Sequence, residues 1–247
     1  MAIKTSLNYS PNFNPEKRKA NQIKFLIFHY TGMRTEKAAI KRLTDIKSEV
    51  SSHYLINQKG EIITLVPNLY IAWHAGKSRW KNYESLNKNS IGIEITNPGH
   101  SFMYKKFSKQ QILSLIKLTK FLISKYKINK NNILGHSDIA PDRKKDPGEK
   151  FPWQYLSKNK ISYWHNVDQR ILIKNRMLNI DNVHKILFCK NINKIGYLKK
   201  IPKNLKDKKN YFLIKIIKAF QRRFRPEIVN GKIDRECLII SQNLVKK

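Results

Sequence analysis

Cysteine is scarce in this chain, with two residues among 247. Cys189 and Cys237 lie in separate apolar segments late in the sequence, which excludes a disulfide framework and predicts two free, buried thiols. The chain also lacks the HExxH motif and any CxxC pair. These absences exclude the helical metalloprotease site and the cysteine-rich zinc modules.

Long hydrophobic runs are absent as well. No stretch of 18 apolar residues occurs, so no transmembrane helix is predicted. The first residues, MAIKTSLNYSPNFNPEKRK, contain no apolar core of a secretory signal peptide. We therefore expect a cytoplasmic protein, with the periplasm or cell envelope as the alternative. Separately, we expect a monomer rather than an oligomer.

Acidic residues are few: 17 Asp and Glu stand against 50 Lys and Arg, which gives a net charge of +33. Such a field attracts polyanions and acidic ligands. The lysines are spread along the whole chain without a dense basic tail, and Asn and Ile are also abundant. This pattern favours compositional drift over a dedicated nucleic-acid surface, so no nucleic-acid partner is expected.

Apolar residues make up 40% of the chain, which is enough for a buried core. Runs rich in β-branched and aromatic residues predict a hairpin and two further strands, at 53–57 with 61–66, at 23–31 and at 90–96. Helical periodicity predicts helices at 36–47 and 108–126, the second one opened by a capping box of Ser108 and Gln111. The alternation predicts an α/β fold with a mixed central sheet flanked by helices.

The last part of the chain has a different pattern. After residue 178 only helical periodicity remains, most clearly at 211–224, whose apolar residues are spaced i, i+3, i+4, i+7 and i+11. We therefore expect a small helical C-terminal domain. The predicted organisation is an irregular lead-in over 1–22, an α/β domain over 23–156, a linker over 157–177 and a helical domain over 178–247.

The segment ILGHSDIAPDRKKDPG, residues 133–148, concentrates polar side chains of the kind that bind metals. An apolar run delivers His136 to a sheet edge, and a loop stiffened by two prolines carries Asp146. Imidazole and carboxylate are common Zn²⁺ ligands, and His29, at the end of another apolar run, is the best third donor. The alternative is that both histidines are hydrogen-bonded structural residues and that Asp146 braces a turn.

A single carboxylate interrupts the predicted strand 90–96. Its isoleucines point to one face, so Glu94 points to the other. That second face is either exposed to solvent or forms the wall of a cleft. In a cleft, partial burial tunes a carboxylate for acid–base work.

Six motifs occur in one order over residues 23–153: FHYTG, SSHYLI, AWHAG, LNKNSIGIEI, GHSDIAP and RKKDPG. In this order they resemble the zinc-dependent N-acetylmuramoyl-L-alanine amidases of the AmpD/AmiD type, which are related to peptidoglycan recognition proteins. The resemblance implies one zinc ion held by His29, His136 and Asp146, with Glu94 and Lys144 as catalytic residues. It also implies hydrolysis of the amide bond between the muramic lactyl group and L-alanine, and leaves open whether 1,6-anhydro muropeptides or the intact sacculus is preferred.

Further polar and aromatic residues within or beside these motifs are candidates for substrate binding, namely His53, Trp73, His74, Asn97 and Arg143. His53 and His74 either contact substrate or orient the metal ligands. For Trp73 and His74 a further alternative is that they cap the core. The later segment AFQRRFRPEIVNGKID resembles the helical peptidoglycan-binding module of AmiD-type enzymes, and it either binds glycan or only packs on the catalytic domain.

Two other function classes remain beside the amidase: a non-catalytic peptidoglycan-binding protein and a basic nucleic-acid-binding protein. The first would be expected to have lost ligand residues, whereas this chain retains all three ligand positions together with Glu94 and Lys144. The second predicts basic and aromatic residues clustered on one surface. The sequence therefore favours the enzyme.

Overall fold

The computed structural model describes residues 3–202 and 211–246. The strands within this part are β1 (Ser6–Leu7), β2 (Phe13–Asn14), β3 (Phe25–Tyr30), β4 (Tyr54–Ile56), β5 (Ile62–Thr64), β6 (Ile71–Ala72), β7 (Arg79–Trp80), β8 (Tyr83–Glu84), β9 (Ser90–Ile95) and β10 (Ile133–Gly135). The helices are α1 (Glu36–Thr44), α2 (Lys109–Tyr126), α3 (His136–Ile139), α4 (Trp153–Lys158), α5 (Gln169–Asn175), α6 (Asn182–Ile195), α7 (Tyr211–Phe224) and α8 (Arg235–Val245).

Six of the described strands form one mixed sheet in the order β1-β5-β4-β9-β3-β10. Strands β4, β9, β3 and β10 run parallel, and β5 returns antiparallel to β4 as the predicted hairpin. The fold class predicted from the sequence is confirmed. Because the carboxyl ends of parallel strands meet at one edge of a sheet, the residues that end β3, β9 and β10 lie side by side.

Both faces of the central strands are covered, which explains their continuous apolar runs. On β3, Leu26 and Phe28 belong to a cluster that α2 covers from one side. Phe25 and Ile27 alternate with them and belong to a cluster on the other side, shared with the C-terminal helices. The side chains of β3 therefore join two separate apolar layers.

Helix α2 has the boundaries that its sequence predicts. Gln111 N–H donates to Ser108 Oγ (3.1 Å) and Ser108 N–H donates to Gln111 Oε1 (3.0 Å), so the capping box is formed. The helix ends at Tyr126, and the C-cap residue Lys127 has a left-handed backbone conformation. The predicted helix at 36–47 is shorter, because α1 ends at Thr44 and a 3₁₀ turn over 46–48 follows.

The C-terminal helices pack directly on the sheet. Phe220 and Phe224 of α7 share one apolar cluster with Phe25, Ile27 and Leu134 of the sheet. The predicted linker 157–177 contains α5, and its Ile161 and Leu172 are buried. The division of the chain into two domains stays a prediction.

The prediction that residues 1–22 are an irregular lead-in is wrong for part of this segment. Strand β1 pairs with β5 at the sheet edge, and β2 pairs with β6. Arg18 is buried and donates to the backbone oxygens of Asn68 and Asn87. Strands of two residues are too short to show alternation, and they are held by backbone pairing that leaves no sequence pattern.

Residues 1–2 of the predicted lead-in, and residues 203–210 and 247 of the predicted helical domain, lie outside the described part. Cys189 and Cys237 are free and buried, as predicted. None of the helices in residues 3–202 and 211–246 combines the length and apolar character that crossing a bilayer requires.

Candidate metal centre

Three polar side chains meet at the carboxyl edge of the sheet. Strand β3 carries His29 near its end, β10 leads directly into α3 with His136 as its first residue, and the following loop returns with Asp146. The Nδ1 atoms of His29 and His136 are 2.9 Å apart, and each lies 3.1 Å from Asp146 Oδ2. All three residues are buried.

Hydrogen bonds on the far side of each ring determine which nitrogen faces the cluster. His136 Nε2–H donates to the Ala75 carbonyl (3.1 Å). His29 Nε2–H donates to His74 Nδ1 (3.0 Å), His74 Nε2–H donates to Ser90 Oγ (3.1 Å), and that hydroxyl donates to the Leu86 carbonyl (2.6 Å). In this arrangement both Nδ1 atoms carry lone pairs.

Burial and mutual charge keep the cluster in a ligand form. Burial, with the nearby charge of His136, lowers the pKa of His29 to about 4. Burial alone would raise the pKa of the Asp146 carboxyl, but the charges and hydrogen bonds of His136 and His29 bring it well below its usual value. At neutral pH His29 is therefore neutral and Asp146 is ionised.

The donor set fits a divalent cation. Two imidazole lone pairs and a carboxylate oxygen about 3 Å apart repel one another unless a positive charge lies between them. Their spacing suits ligand atoms placed about 2.0–2.2 Å from one shared zinc ion. Among the described residues, His29, His136 and Asp146 are the only group of three or more His, Cys, Asp or Glu side chains that converge in this way.

The cluster lies at the wall of a cavity of about 430 Å³. His136 and Asp146 reach this cavity, and Arg143, Lys144 and Glu94 line it beside them. Four of the five residues that the sequence identified as metal ligands or catalytic groups therefore line one space, and His29 contacts two of them from the sheet side.

Glu94 is the register partner of His29 on the neighbouring strand β9. Burial, with the nearby Asp146 carboxylate, raises the pKa of Glu94 to about 8, against a lowering by the Lys144 charge. Its Oε2 atom is buried and has no hydrogen-bond partner in the described part of the chain. Glu94 is thus a carboxylate whose affinity for a proton is raised and whose oxygen is free to bind one.

His74 occupies the space above Gly92. A Cβ atom at Gly92 would lie 2.4 Å from His74 Cγ and 2.6 Å from its Nδ1, which is closer than real side chains approach. The glycine in SIGIEI therefore leaves room for the His74 ring, which accepts a hydrogen bond from His29. His74 was predicted to contact substrate or to orient a ligand, and its hydrogen bond to His29 fits the second role.

The other residues predicted to bind substrate have different positions. Arg143 lines the cavity and donates to the carbonyls of Ala75 and Lys77. His53, Asn97 and Trp73 are not among the residues that line it.

Each of those three side chains has a local hydrogen-bond partner. His53 accepts from Gly92 N–H (3.0 Å), and Asn97 donates to the Lys105 carbonyl (2.8 Å). Trp73 Nε1–H donates to Asn14 Oδ1 (2.6 Å). Through these hydrogen bonds the three side chains hold together strands and loops around the site.

His100 is a residue of the cavity that the sequence analysis did not identify. The Tyr30 hydroxyl donates to His100 Nδ1 (2.9 Å), and His100 Nε2–H donates to Glu149 (3.1 Å). Tyr30 and His100 both line the cavity. His100 lies in an irregular loop after β9, where neither periodicity nor a motif distinguishes it, so only the folded chain brings it to the site.

The family profile of the N-acetylmuramoyl-L-alanine amidases matches residues 19–149 of this chain. The chain therefore belongs to the N-acetylmuramoyl-L-alanine amidase family, and it is an enzyme of that class. The resemblance inferred from the six motifs is confirmed.

Two relatives illustrate the match along the sequence. The chain is 35% identical to the N-acetylmuramoyl-L-alanine amidase AmiD of Escherichia coli over 238 residues, which cover 92% of this chain and 83% of AmiD. It is 42% identical to the 1,6-anhydro-N-acetylmuramyl-L-alanine amidase AmpD of Citrobacter freundii over 104 residues, which cover 42% of this chain and 54% of AmpD. The AmiD match therefore includes the C-terminal helices.

Solved structures agree over the same length. AmiD from E. coli, in complex with the substrate anhydro-N-acetylmuramic acid-L-Ala-D-gamma-Glu-L-Lys, superposes with a TM-score of 0.76 at 35% identity, covering 91% of this chain and 89% of AmiD. AmpDh3 from Pseudomonas aeruginosa, in complex with an anhydromuramic pentapeptide, gives a TM-score of 0.76 at 30% identity, covering 94% and 93%. The sheet and the C-terminal helices are thus a shared architecture.

Proposed function

We propose that this protein is a zinc-dependent amidase that cleaves the bond between the muramic lactyl group and L-alanine in 1,6-anhydro muropeptides. Two structural relatives are complexes with anhydromuramic peptides, which supports this substrate class. The proposed ligands of one zinc ion are His29, His136 and Asp146. The observation that carries the proposal is their convergence at the wall of the cavity that Glu94, with its unpaired carboxylate oxygen, also lines.

An amide resists hydrolysis at neutral pH unless the attacking water is activated and the developing oxyanion is stabilised. Zinc bound by two imidazoles and one carboxylate supplies both effects, by lowering the pKa of a water and polarising the carbonyl. In this proposal Glu94 accepts the proton of the attacking water and then donates it to the leaving L-alanine nitrogen. Its pKa of about 8 lies close to neutral pH, where a carboxyl group can both hold and release a proton.

Lys144 is proposed to stabilise the oxyanion. It lines the same cavity, and its charge is close enough to lower the pKa values of both Glu94 and His29. An ammonium group at this place attracts the negative charge that develops on the carbonyl oxygen. It also favours the ionised form of Glu94, the form that accepts a proton.

The test is mass analysis of the products from purified 1,6-anhydro muropeptides and, in parallel, from intact sacculi. We expect free peptides that begin with L-alanine, together with a muramic product that carries a free lactyl carboxylate. A chelator should stop the reaction and added zinc should restore it. Undiminished activity of a demonstrably metal-free protein would contradict the zinc proposal.

Two histidine variants test the ligand assignment, one at a proposed ligand and one at an exposed histidine away from the site. His29→Ala is expected to lose bound zinc and activity together, because it removes one of three ligands. The matched control is His184→Ala, since His184 is an exposed histidine on α6. The control should retain zinc at one ion per chain, measured by metal analysis, and normal turnover. Full zinc occupancy in His29→Ala would reject the ligand assignment.

A further inference from the structure

A second buried carboxylate lies beside the metal cluster but belongs to a different network. Asp138 is two residues after the ligand His136, in the one-turn helix α3, and only 2% of it is exposed. Its Oδ2 accepts from Gly135 N–H (2.8 Å), and its Oδ1 accepts from the Tyr197 hydroxyl (2.5 Å). It does not line the cavity.

The positive charge that faces Asp138 comes from the C-terminal helices. Arg223 of α7 is 3% exposed, and its Nη1 donates to Asp138 Oδ2 at 2.6 Å. Its Nη2 donates to the Ile133 carbonyl at 3.0 Å, and the guanidinium stacks over the Trp153 ring at 4.3 Å. One planar group therefore binds the chain three residues before His136 and two residues after it.

The position of α3 also affects the proposed ligand Asp146. Ser137 N–H, in the same helix α3, donates to the Asp146 carbonyl at 2.8 Å. A shift of α3 would therefore move both His136 and the backbone that carries Asp146. The orientation of two proposed ligands depends on the place at which α3 is held.

We propose that Arg223, assisted by Tyr197, is a positioning residue: it fixes α3 so that His136 and Asp146 present their donor atoms to the metal. This inference rests on the proposed zinc site. It assigns the C-terminal helices a part in the amidase centre, because Asp138 would be a buried charge without a cationic partner in the described part of the chain if Arg223 were absent.

The chain offers a matched control for the loss of a buried arginine. Arg225 is 1% exposed, and it pairs with Asp234 (3.1 Å) and Glu236 (3.4 Å). Within the described part of the chain, its side chain donates to Asp234, Glu236 and Cys237 of the C-terminal segment. Arg225→Met therefore measures the cost of removing a buried guanidinium without touching α3.

The experiment compares Arg223→Met with Arg225→Met in the full chain. Zinc affinity is measured by competition with a chelator, the ligand geometry by the visible spectrum of the cobalt-substituted protein, and local opening by amide exchange at Gly135 in the metal-free protein. We expect both variants to unfold at lower temperature. Only Arg223→Met should bind zinc about 10-fold more weakly, which is the lower end of the effect of residues that orient metal ligands.

A second pair of variants separates orientation from charge neutralisation. Asp138→Asn in the Arg223→Met background removes the uncompensated charge and should recover stability, but it should not recover zinc affinity or the cobalt spectrum. Recovery of wild-type zinc affinity would overturn the positioning role, as would equal zinc affinities of the two arginine variants.

If Arg223→Met does not fold, Tyr197→Phe provides a milder test. It removes one hydrogen-bond donor to Asp138 and leaves the aromatic ring in place. It should weaken zinc binding and speed exchange at Gly135; wild-type values for both would contradict the inference. The proposed function fails separately, and visibly, if the unaltered protein itself binds no zinc.

Discussion

His29 and Glu94 are direct register partners on the adjacent parallel strands β3 and β9. One is a proposed zinc ligand and the other the proposed general base. Their relative position is therefore set by backbone pairing between two buried strands and not by a loop. A rigid pair of this kind would keep the proposed base close to a metal held by His29, without an ordering cost at each turnover.

Glu94→Gln tests the general base. The amide is nearly the same size and fits the same strand, so zinc content and fold should be retained. Turnover should fall about 10²–10⁴-fold, the usual contribution of a general acid–base group. Steady-state kinetics on an anhydro muropeptide, with metal analysis of the same sample, provide the measurement. Near-normal turnover with bound zinc would transfer the role to another group.

Lys144→Met tests the oxyanion role. The lysine is not a proposed ligand, so zinc should remain bound. The charge matters most when the oxyanion forms, so kcat should fall by about 10²-fold while KM changes little. Lys120→Met, at an exposed position on α2, is the control for loss of one positive charge. A change confined to KM would instead indicate that Lys144 only attracts substrate.

Gly92→Ala tests the chain of hydrogen bonds behind His29. The new methyl group would meet His74 Cγ at 2.4 Å and push the ring away from His29. Without this acceptor the His29 tautomer is no longer fixed, so zinc affinity should fall about 10-fold or more. Ser90→Ala removes the hydroxyl that holds His74 from the other side and should act in the same direction. Unchanged chelator competition in both variants would show that the tautomer is fixed by other means.

The pH dependence of stability tests the burial of His53. Burial, with the nearby charge of Arg18, lowers the pKa of His53 to about 3. The unfolded chain takes up a proton at this residue near pH 6.5, and the folded chain does not, so stability is lost as pH falls from about 6.5 towards 3. At pH 5 this difference amounts to about 2 kcal/mol.

The measurement for His53 is a comparison of denaturant unfolding at pH 7 and pH 5 in metal-free protein. Glu94 acts in the opposite direction, because its pKa is raised to about 8 and protonation favours its folded form. We therefore compare wild type with His53→Gln, in which the Glu94 contribution cancels. Wild type should lose about 2 kcal/mol more than the variant. Parallel losses in both proteins would show that His53 titrates normally.

The features that could be predicted from the sequence alone depend on residues that are close together in the chain. The capping box at Ser108, the hairpin around Gly60 and the alternation around Glu94 are local patterns, and the structure has them as predicted. The six motifs also determined the family. Each of these features requires only that residues a few positions apart share a helix turn, a strand or a loop.

The distant residues that complete the site could not be predicted in this way, because folding brings them together. His74 meets His29 across 45 positions, and Arg223 meets Asp138 across 85. The pairing of residues 6–7 with the sheet edge is equally invisible in sequence. Such contacts arise when buried polar groups find partners wherever the packed chain brings them, since an unpaired group in the interior is costly. The local periodicity of the sequence therefore does not predict these contacts.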